Sequence, residues 1–229
     1  MKAYGVFITG TDVGCGKTRV ACSLLYALRA AGLRASGMKP VATGGADTPD
    51  GLRHPDALAL IAASDPKPAY ADCNPFCFAE HVSPHIAAAE AGVEVTLPPI
   101  EDAYDRIALD VQAVVVEGAG GWLAPLSNLL RSSAIPRQLN LPVILVVGLK
   151  PGCLNHAQLS VRAVHANDCE LVGWIGNRID PAFAHPKEHL ATLNRVLGAP
   201  CLGVVGHDVM PAAAAAALRD AADAVTIAR

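Results

Sequence analysis

The stretch GTDVGCGKT, residues 10–18, constrains the fold more than any other part of the sequence. The strand-like run YGVFITG leads into it, and a helical pattern follows. Backbone N–H groups in such a glycine loop, together with the N-terminus of the next helix, attract phosphate. The sequence therefore predicts a phosphate-binding loop, with a plain helix-capping turn as the alternative. Five residues separate Gly10 from Gly16, where the common GxxxxGK[ST] pattern has four.

The rest of the chain alternates between short apolar runs and helical patterns. Strand-like runs are YGVFITG, LRASGMKPV, AVVVEGAGG, LPVILVVG, LVGWIGN and CLGVVG. Strands separated by helices predict a mostly parallel sheet covered on both faces, with ligands at the carboxyl ends of the strands. We predict one α/β domain over residues 1–229, a three-layer sandwich of the P-loop NTPase-like kind.

Three segments receive less regular interpretations. Residues 43–55 are rich in Gly, Pro and Asp and are interpreted as a loop. Residues 65–84 are Pro-rich and are interpreted as irregular. The alanine run at 212–217 indicates a helix, and AVTIA at 224–228 is interpreted as a last strand.

Charge and hydropathy patterning argue against several partners. The formal net charge is -3 and there is no long basic run, which disfavours nucleic acid or an anionic membrane. The apolar part of MKAYGVFITG is too short for a signal peptide, and no stretch of about 18 apolar residues predicts a membrane span. We therefore expect a cytoplasmic protein.

The cysteines and histidines do not follow a zinc-binding pattern. The seven cysteines contain no CxxC pair and are interpreted as core or incidental thiols, and Cys15, which lies inside the glycine loop, could be accessible. His81 with His85, and His185 with His189, are spaced by four but lack a clear third ligand. We expect no metal role for them.

Several polar residues stand where the chain should deliver them to one edge of the sheet. Lys17 is expected to reach the β- and γ-phosphates of a nucleotide, and Thr18 to ligate Mg²⁺. Glu117 ends the run AVVVE, where a carboxylate can hold Mg²⁺ directly or through water. Lys39 ends the second strand and could neutralise charge that develops in a transition state, or be a surface lysine.

Three further positions stay open when judged from spacing. Thr43 follows Lys39 and is either a substrate contact or a loop hydroxyl. Asp56 opens a helix, and its spacing favours an N-cap or first-turn acid. KPGCLNHA, residues 150–157, is either a second anion-binding helix start or an ordinary turn capped by Asn155.

With these segments placed, the sequence resembles the dethiobiotin synthetase family through most of the chain. The similarity is strongest in FITGTDVGCGKT, GMKPVATGG, GLRHPDALAL, NPFCFAEHVSPHIAAAEAG, VVVEGAGGWLAPL, LPVILVVGLKPGCLNHA and LVGWIGN. The resemblance implies condensation of 7,8-diaminopelargonic acid with CO₂ and MgATP to give dethiobiotin, through a carbamate and a carbamic–phosphoric anhydride. It also implies a homodimer with substrate near the subunit interface, and a loop with five residues before Gly-Lys-Thr.

The resemblance implies a role for each candidate residue. Catalytic roles fall to Lys39 and Lys17, and metal ligation to Thr18, Asp56 and Glu117. Nucleotide binding falls to Val13, Gly14, Cys15, Gly16, Lys17, Thr18, Asp56, Glu117, Gly118, Ala119, Gly120, Asn177 and Arg178, with Asn177 reading adenine. Substrate binding falls to Thr11, Thr43, Gly152, Cys153, Leu154, Asn155 and His189. Gly152 to Asn155 would bind the diamine's carboxylate from the partner chain.

The sequence departs from the family pattern at three positions. His189 replaces a substrate-contacting tyrosine of some relatives, Gly206 stands at a usual proline position, and Arg178 replaces an acid. The last two differences predict weak discrimination between ATP and other triphosphates.

Two other classes of protein remain as alternatives. One is a regulatory ATPase of the partitioning or septum-positioning kind, whose signature lysine near the first glycine is missing, since Thr11 and Asp12 occupy that region. The other is a non-catalytic nucleotide-binding scaffold, which fails to explain Lys39, Thr43 and Glu117 together.

Overall fold

A computed structural model describes residues 3–227. Its strands are β1 Tyr4–Gly10, β2 Ala35–Met38, β3 Val41–Thr43, β4 Ala46–Thr48, β5 Gly51–Arg53, β6 Phe76–Phe78, β7 Ala113–Glu117, β8 Val143–Gly148, β9 Leu171–Asn177 and β10 Cys201–Val205. Six of them form one sheet in the order β10-β9-β8-β1-β7-β2, and every pairing in it is parallel. The predicted α/β class with a mostly parallel central sheet is confirmed.

Helices connect these strands. They are α1 Lys17–Ala30, α2 Pro55–Ala63, α3 Tyr70–Cys73, α4 Pro84–Glu90, α5 Pro98–Asp110, α6 Ala134–Leu139, α7 Cys153–Ala166, α8 Pro186–Val196, α9 Pro211–Ala214 and α10 Arg219–Ile227. A 3₁₀ turn, Ala215–Leu218, joins the last two. Among the described residues, no helix is long and apolar enough to cross a membrane.

Apolar residues on both faces of the central strands build two separate core layers. In β1, Val6 and Ile8 pack into the layer that contains α1, whereas Phe7 between them packs into the layer that contains α5. Side chains alternate between the faces of a strand, so an uninterrupted apolar run requires helices on both sides. This is the physical basis of the three-layer arrangement.

The strand order reverses at β1, which places the glycine loop at the centre of the sheet. The chain leaves β1 for β2 on one side, fills the gap with β7, and later adds β8, β9 and β10 on the other side. Ligands of open parallel sheets bind outside the carboxyl ends of the strands at such a reversal. The loop after Gly10 begins there.

Three sequence interpretations of local structure are wrong. Residues 43–55 contain the antiparallel hairpin β4–β5, and residues 65–84 contain α3 and β6, which pairs with β3. The expected strand at 224–228 is the end of α10, because Ala221, Ala222 and Val225 repeat at helical spacing and are buried together; position 228 lies outside the described residues.

Candidate active site

The glycine loop closes tightly around the start of α1. Gly16 is the residue before this helix and has a φ of 88°, a left-handed conformation that favours glycine. A Cβ at this position would meet the side-chain amide of Asn177 at the end of β9. Lys17 is nearly buried, and its Nζ donates a hydrogen bond to the Asp12 carbonyl at 3.0 Å. The loop therefore holds its lysine over its own backbone.

Cys15, whose accessibility the sequence left open, is not accessible. Its side chain is fully buried in the layer that contains α1, while neighbouring Val13 is 76% exposed. A Cβ on Gly10 would clash with the Cys15 sulfur, so the thiol fills the space inside the loop. Cys15 can contact a phosphate only through its backbone.

Three chain segments deliver charged side chains to one point beside this loop. Lys39 follows β2, Asp56 lies in the first turn of α2, and Glu117 ends β7. Lys39 Nζ is 2.8 Å from Asp56 Oδ2 and 2.5 Å from Glu117 Oε1. The Thr18 hydroxyl donates to the same Glu117 oxygen at 2.8 Å. We call Lys39, Asp56, Glu117 and Thr18 the lysine–carboxylate cluster.

The lysine in this cluster is held in its charged form. Burial by itself would lower the pKa of Lys39, but the Glu117 and Asp56 carboxylates outweigh burial and raise that pKa above its ordinary value. Burial would likewise raise the pKa of Asp56, and the nearby ammonium of Lys39 reverses the effect and lowers it. At neutral pH the site therefore holds the Lys39 ammonium beside the ionised Asp56 carboxylate.

Asp56 is a first-turn acid, as its spacing favoured, and His54 occupies the N-cap position of α2. The His54 Nδ1 accepts a hydrogen bond from the Asp56 N–H at 3.1 Å. The Asp56 carboxylate is thereby left free to point at Lys39. Burial lowers the pKa of His54, and the ammonium of Lys39 adds to that effect against the opposing pull of Asp56.

The oxygen donors of the cluster suit a small hard cation. The Glu117 side chain is 1% exposed, and its buried Oε2 atom has no hydrogen-bond partner in the protein. Buried carboxylate oxygens are rarely left unpaired. Two carboxylates and a hydroxyl beside a phosphate loop are the ligands that Mg²⁺ takes in nucleotide sites. The residues present therefore fit this ion.

The glycines after Glu117 bring a second backbone segment against the glycine loop. Residues 118–121 carry little side chain, and Gly120 has a φ of 62°. A Cβ on Gly121 would lie 3.5 Å from the carbonyl oxygens of both Gly10 and Thr11. The candidate nucleotide positions Gly118, Ala119 and Gly120 are thus adjacent to the loop.

Asn177 and Arg178 end β9 on the other side of the loop. Asn177 is 1% exposed, its Nδ2 donates to the Cys15 carbonyl at 2.9 Å, and its Oδ1 is buried without a partner. In this arrangement the amide supports the loop, so it would have to turn away from Cys15 to read a base. The Arg178 N–H donates to the Val205 carbonyl, which joins β9 to β10.

The segment after β8 forms a helix start of the kind considered from the sequence. Gly152, with a φ of 87°, is the N-cap of α7, so Asn155 is not the cap. The Cys153 side chain is buried, whereas Asn155 is exposed. Lys150 Nζ lies 2.5 Å from Asp12 Oδ2 and ties this segment to the glycine loop.

Other candidate substrate residues lie apart from the cluster or make local contacts. Thr11 donates to Asp12, and Thr43 ends β3, two strand positions after Val41. His189 lies on α8, bonds to the His185 carbonyl and packs on Phe183 at 4.5 Å between ring centroids. Within the described residues, no hydrogen bond joins His189 to the lysine–carboxylate cluster.

Sequence reasoning missed residues that support the site without reaching it. Arg19, directly after the Gly-Lys-Thr triplet, donates to the carbonyls of Gly206 and Val209 at 2.6–3.0 Å. Asn74 donates to the Lys39 carbonyl, and the Tyr70 hydroxyl accepts from the His54 N–H, two residues before Asp56. Neither has a sequence pattern of its own; the only signal is that Asn74 opens the quoted segment NPFCFAEHVSPHIAAAEAG.

The fold and the loop define a P-loop nucleotide-binding protein. A protein-family model described as an AAA domain (AAA_26) matches residues 4–209. The MinC:MinD cell division protein complex of Aquifex aeolicus is similar in structure, with a TM-score of 0.61 and 13% identity over 98% of this chain and 96% of that chain. At this identity the likeness supports the fold alone.

Sequence comparison defines the family within that class. The ATP-dependent dethiobiotin synthetase BioD of Xanthomonas euvesicatoria pv. vesicatoria (strain 85-10) is 48% identical over 89% of this chain and 91% of its own length. The protein of the same name from Xylella fastidiosa (strain 9a5c) is 47% identical over 97% of this chain and 100% of its own. The chain belongs to the dethiobiotin synthetase family and is an ATP-dependent ligase of biotin biosynthesis.

Proposed function

We propose that the chain, as a single-domain homodimer, closes the ureido ring of dethiobiotin from 7,8-diaminopelargonic acid, CO₂ and MgATP. The observation that carries the proposal is the lysine–carboxylate cluster beside the glycine loop, where Lys39 Nζ contacts Asp56 and Glu117 within 2.8 Å. A binding scaffold has no need of a buried ammonium at this point. A ligase that handles anionic intermediates does.

The reaction proceeds in three steps. One substrate amine adds to CO₂ and loses a proton, which gives a carbamate. A carbamate oxygen attacks the γ-phosphorus of ATP, the bond to ADP breaks, and a carbamic–phosphoric anhydride forms. The second amine then attacks the carbonyl carbon, releases phosphate and closes the ring. Positioning and charge neutralisation are the main demands of these steps.

The chain's own residues meet those demands. Lys17 leaves the Asp12 carbonyl to bind the β- and γ-phosphates, and Lys39 neutralises charge on the carbamate and on the phosphoryl group. Thr18, Asp56 and Glu117 would hold Mg²⁺, which when bound neutralises phosphate oxygens. Thr11 and Thr43 donate hydrogen bonds to the diamine, and the N-terminus of α7 receives its carboxylate across the dimer.

The test measures ADP and dethiobiotin formation from MgATP and bicarbonate, with and without the diamine. We expect equal amounts of both products, only when the diamine is present, and a sharp fall in Lys39→Ala. Lys67→Ala serves as a control, because Lys67 is an exposed lysine outside the cluster. ATP hydrolysis without the diamine, and without dethiobiotin, would favour a regulatory ATPase instead.

A further inference from the structure

A chain of hydrogen bonds joins the backbone at Lys39 to the backbone at the start of α2. Asn74 Nδ2 donates to the Lys39 carbonyl at 2.6 Å, and Asn74 Oδ1 accepts from the Tyr70 hydroxyl at 2.9 Å. The Tyr70 hydroxyl in turn accepts from the His54 N–H at 2.7 Å. We call this chain, from Lys39 through Asn74 and Tyr70 to His54, the asparagine–tyrosine bracket.

Asn74, at the centre of the bracket, is buried and its polar atoms are all used, whereas Tyr70 and His54 are half-buried. Asn74 is 4% exposed, and its Nδ2 makes a second bond to the Phe76 carbonyl at 3.0 Å. Each of its donor and acceptor atoms thus has a protein partner. Buried networks that are fully satisfied fix one arrangement, because any shift leaves a polar group unpaired.

Neighbouring backbone bonds clamp Lys39 from its other side. The Lys39 N–H donates to the Cys73 carbonyl at 2.7 Å, and the Phe76 N–H donates to the Pro40 carbonyl at 3.1 Å. Both peptide groups of Lys39 are therefore held by the α3–β6 segment, residues 70–78. The same segment supplies β6, the strand that pairs with β3 and its terminal Thr43.

The far end of the bracket holds the residue that precedes α2. The backbone N–H of His54 donates to the Tyr70 hydroxyl, and the His54 ring nitrogen Nδ1 accepts from the Asp56 N–H. The Tyr70 ring is itself fixed, because the Arg53 guanidinium lies 4.1 Å from its centroid. The bracket therefore sets the distance between two backbones whose side chains, Lys39 and Asp56, meet in the active site.

We propose that Tyr70 and Asn74 are positioning residues for the ligase reaction. They act by holding the Lys39 ammonium in contact with the Asp56 and Glu117 carboxylates. The inference rests on the proposed role of Lys39. Neither residue touches a reacting atom. Displacement of a neutralising charge by about 1 Å can cost as much as 100-fold in rate, so the bracket is expected to act on kcat and to leave nucleotide binding unchanged.

The test compares two isosteric tyrosine variants. Tyr70→Phe removes the hydroxyl that joins Asn74 to His54 and keeps the ring under Arg53. Tyr104→Phe is the control, because Tyr104 is more deeply buried than the half-buried Tyr70 but lies on α5 beside Gly5, at the opposite end of β1 from the glycine loop. We expect kcat to fall about tenfold or more in Tyr70→Phe, with the KM for ATP within about twofold of wild type.

A double-mutant cycle separates positioning from general damage. If Tyr70 acts through Lys39, Tyr70→Phe should have little further effect on the rate in a Lys39→Ala background. Multiplicative effects in the cycle would overturn the proposal, as would a Tyr70→Phe kcat no lower than that of Tyr104→Phe. Where Lys39→Ala is too slow to measure, the comparison of kcat and KM between the two tyrosine variants decides.

The same assays distinguish this proposal from the proposed function. If wild type makes no dethiobiotin from the diamine, the proposed function fails and the bracket's role fails with it. If wild type makes dethiobiotin but the tyrosine variants behave alike, only the bracket's role is overturned. Thermal unfolding of both variants confirms that each is folded under the assay conditions.

Discussion

Lys39 Nζ lies 2.5 Å from Glu117 Oε1, and the two side chains are 6% and 1% exposed. The residues are 78 positions apart in the chain. A charge pair that is this deeply buried gains stability only while both partners are present, since removal of one leaves the other charged and desolvated. The pair therefore couples the stability of the fold to the integrity of the candidate active site.

The first prediction concerns loss of the ammonium. Lys39→Met should lower the free energy of unfolding by about 3–5 kcal/mol, because the Glu117 and Asp56 carboxylates are left unpaired. Urea denaturation at neutral pH measures it. Adding Glu117→Gln to the same variant should restore part of the loss, since the neutral amide no longer needs a counter-charge.

Lys150→Met provides the control for this experiment. Its pair with Asp12 has the same 2.5 Å separation, but its side chains are 33% and 29% exposed. Solvent screens such a pair, so the loss should be about 0–1 kcal/mol. Equal losses in Lys39→Met and Lys150→Met would contradict the assigned importance of burial.

The second prediction is a pH dependence that comes from Asp56. Its folded-state pKa is lowered from an ordinary value of 3.8, so its contribution is present above that value and is lost as the pH falls through the lower, folded-state pKa. The difference in unfolding free energy between wild type and Asp56→Asn should be constant near neutrality and shrink on acidification. A difference that stays constant into strong acid would be inconsistent with the lowered pKa.

Lys39 should contribute a pH dependence of the unfolding free energy on the alkaline side. Its folded-state pKa is raised above 10.5, so its contribution is complete below that value and is lost as the pH rises through the raised pKa. The lysine–carboxylate cluster should therefore stabilise the fold across the whole neutral range. Lys39→Met should therefore weaken the alkaline dependence of the unfolding free energy and give a flatter profile above 10.5 than that of wild type.

The third prediction compares the effects of alanine substitution at two glycines of the phosphate loop. Gly14 and Gly16 both have positive φ values, 76° and 88°, so alanine at either costs about 1–3 kcal/mol of backbone strain. A Cβ on Gly14 meets nothing within 4 Å, whereas one on Gly16 meets the Asn177 amide. Gly16→Ala should therefore weaken binding of a non-hydrolysable ATP analogue by about tenfold more than Gly14→Ala, equivalent to about 1.4 kcal/mol.

Calorimetric titration of both variants checks this difference. A purely conformational origin predicts equal effects at the two glycines. Displacement of Asn177 from the Cys15 carbonyl predicts the larger effect at Gly16. Equal affinities would mean that the Asn177 contact with the loop has no part in nucleotide binding.

The central sheet could be predicted from the sequence because its signal is local. The runs that correspond to β1, β7, β8 and β9 are mostly apolar, and those of β1, β8 and β9 are followed by helical patterns, so burial on both faces could be predicted from the local sequence. The glycine loop was recognisable for the same reason, since Gly16, Lys17 and Thr18 are adjacent. Such features need no knowledge of distant contacts.

The support of Lys39 could not be predicted because it depends on distant contacts. Residues 65–84 lack periodicity, and α3 has only four residues, so neither pattern nor length marks them. Their order comes from bonds to the backbone around Lys39, more than 30 positions away. The prediction of a strand at the end of the chain was wrong for a different reason. Val225, Thr226 and Ile227 favour a strand locally, but tertiary packing holds them in α10.

The fourth prediction concerns which nucleotide base the enzyme accepts. Asn177 Nδ2 donates to the Cys15 carbonyl, and Gly206 has no side chain. Neither residue is therefore placed to hydrogen-bond to a nucleotide base. We expect initial rates of dethiobiotin formation with ATP and GTP to agree within about tenfold, a difference of about 1.4 kcal/mol. A strict preference for ATP would contradict this.

Arg19→Met extends the comparison to the loop itself. Its guanidinium donates to the Gly206 and Val209 carbonyls and so ties α1 to the segment after β10. Their loss should loosen that segment and raise the KM for every triphosphate alike, with kcat unchanged, because the lysine–carboxylate cluster is not touched. A selective loss of ATP over GTP would mean that the Gly206 segment does read the base, and that the expected weak discrimination is wrong.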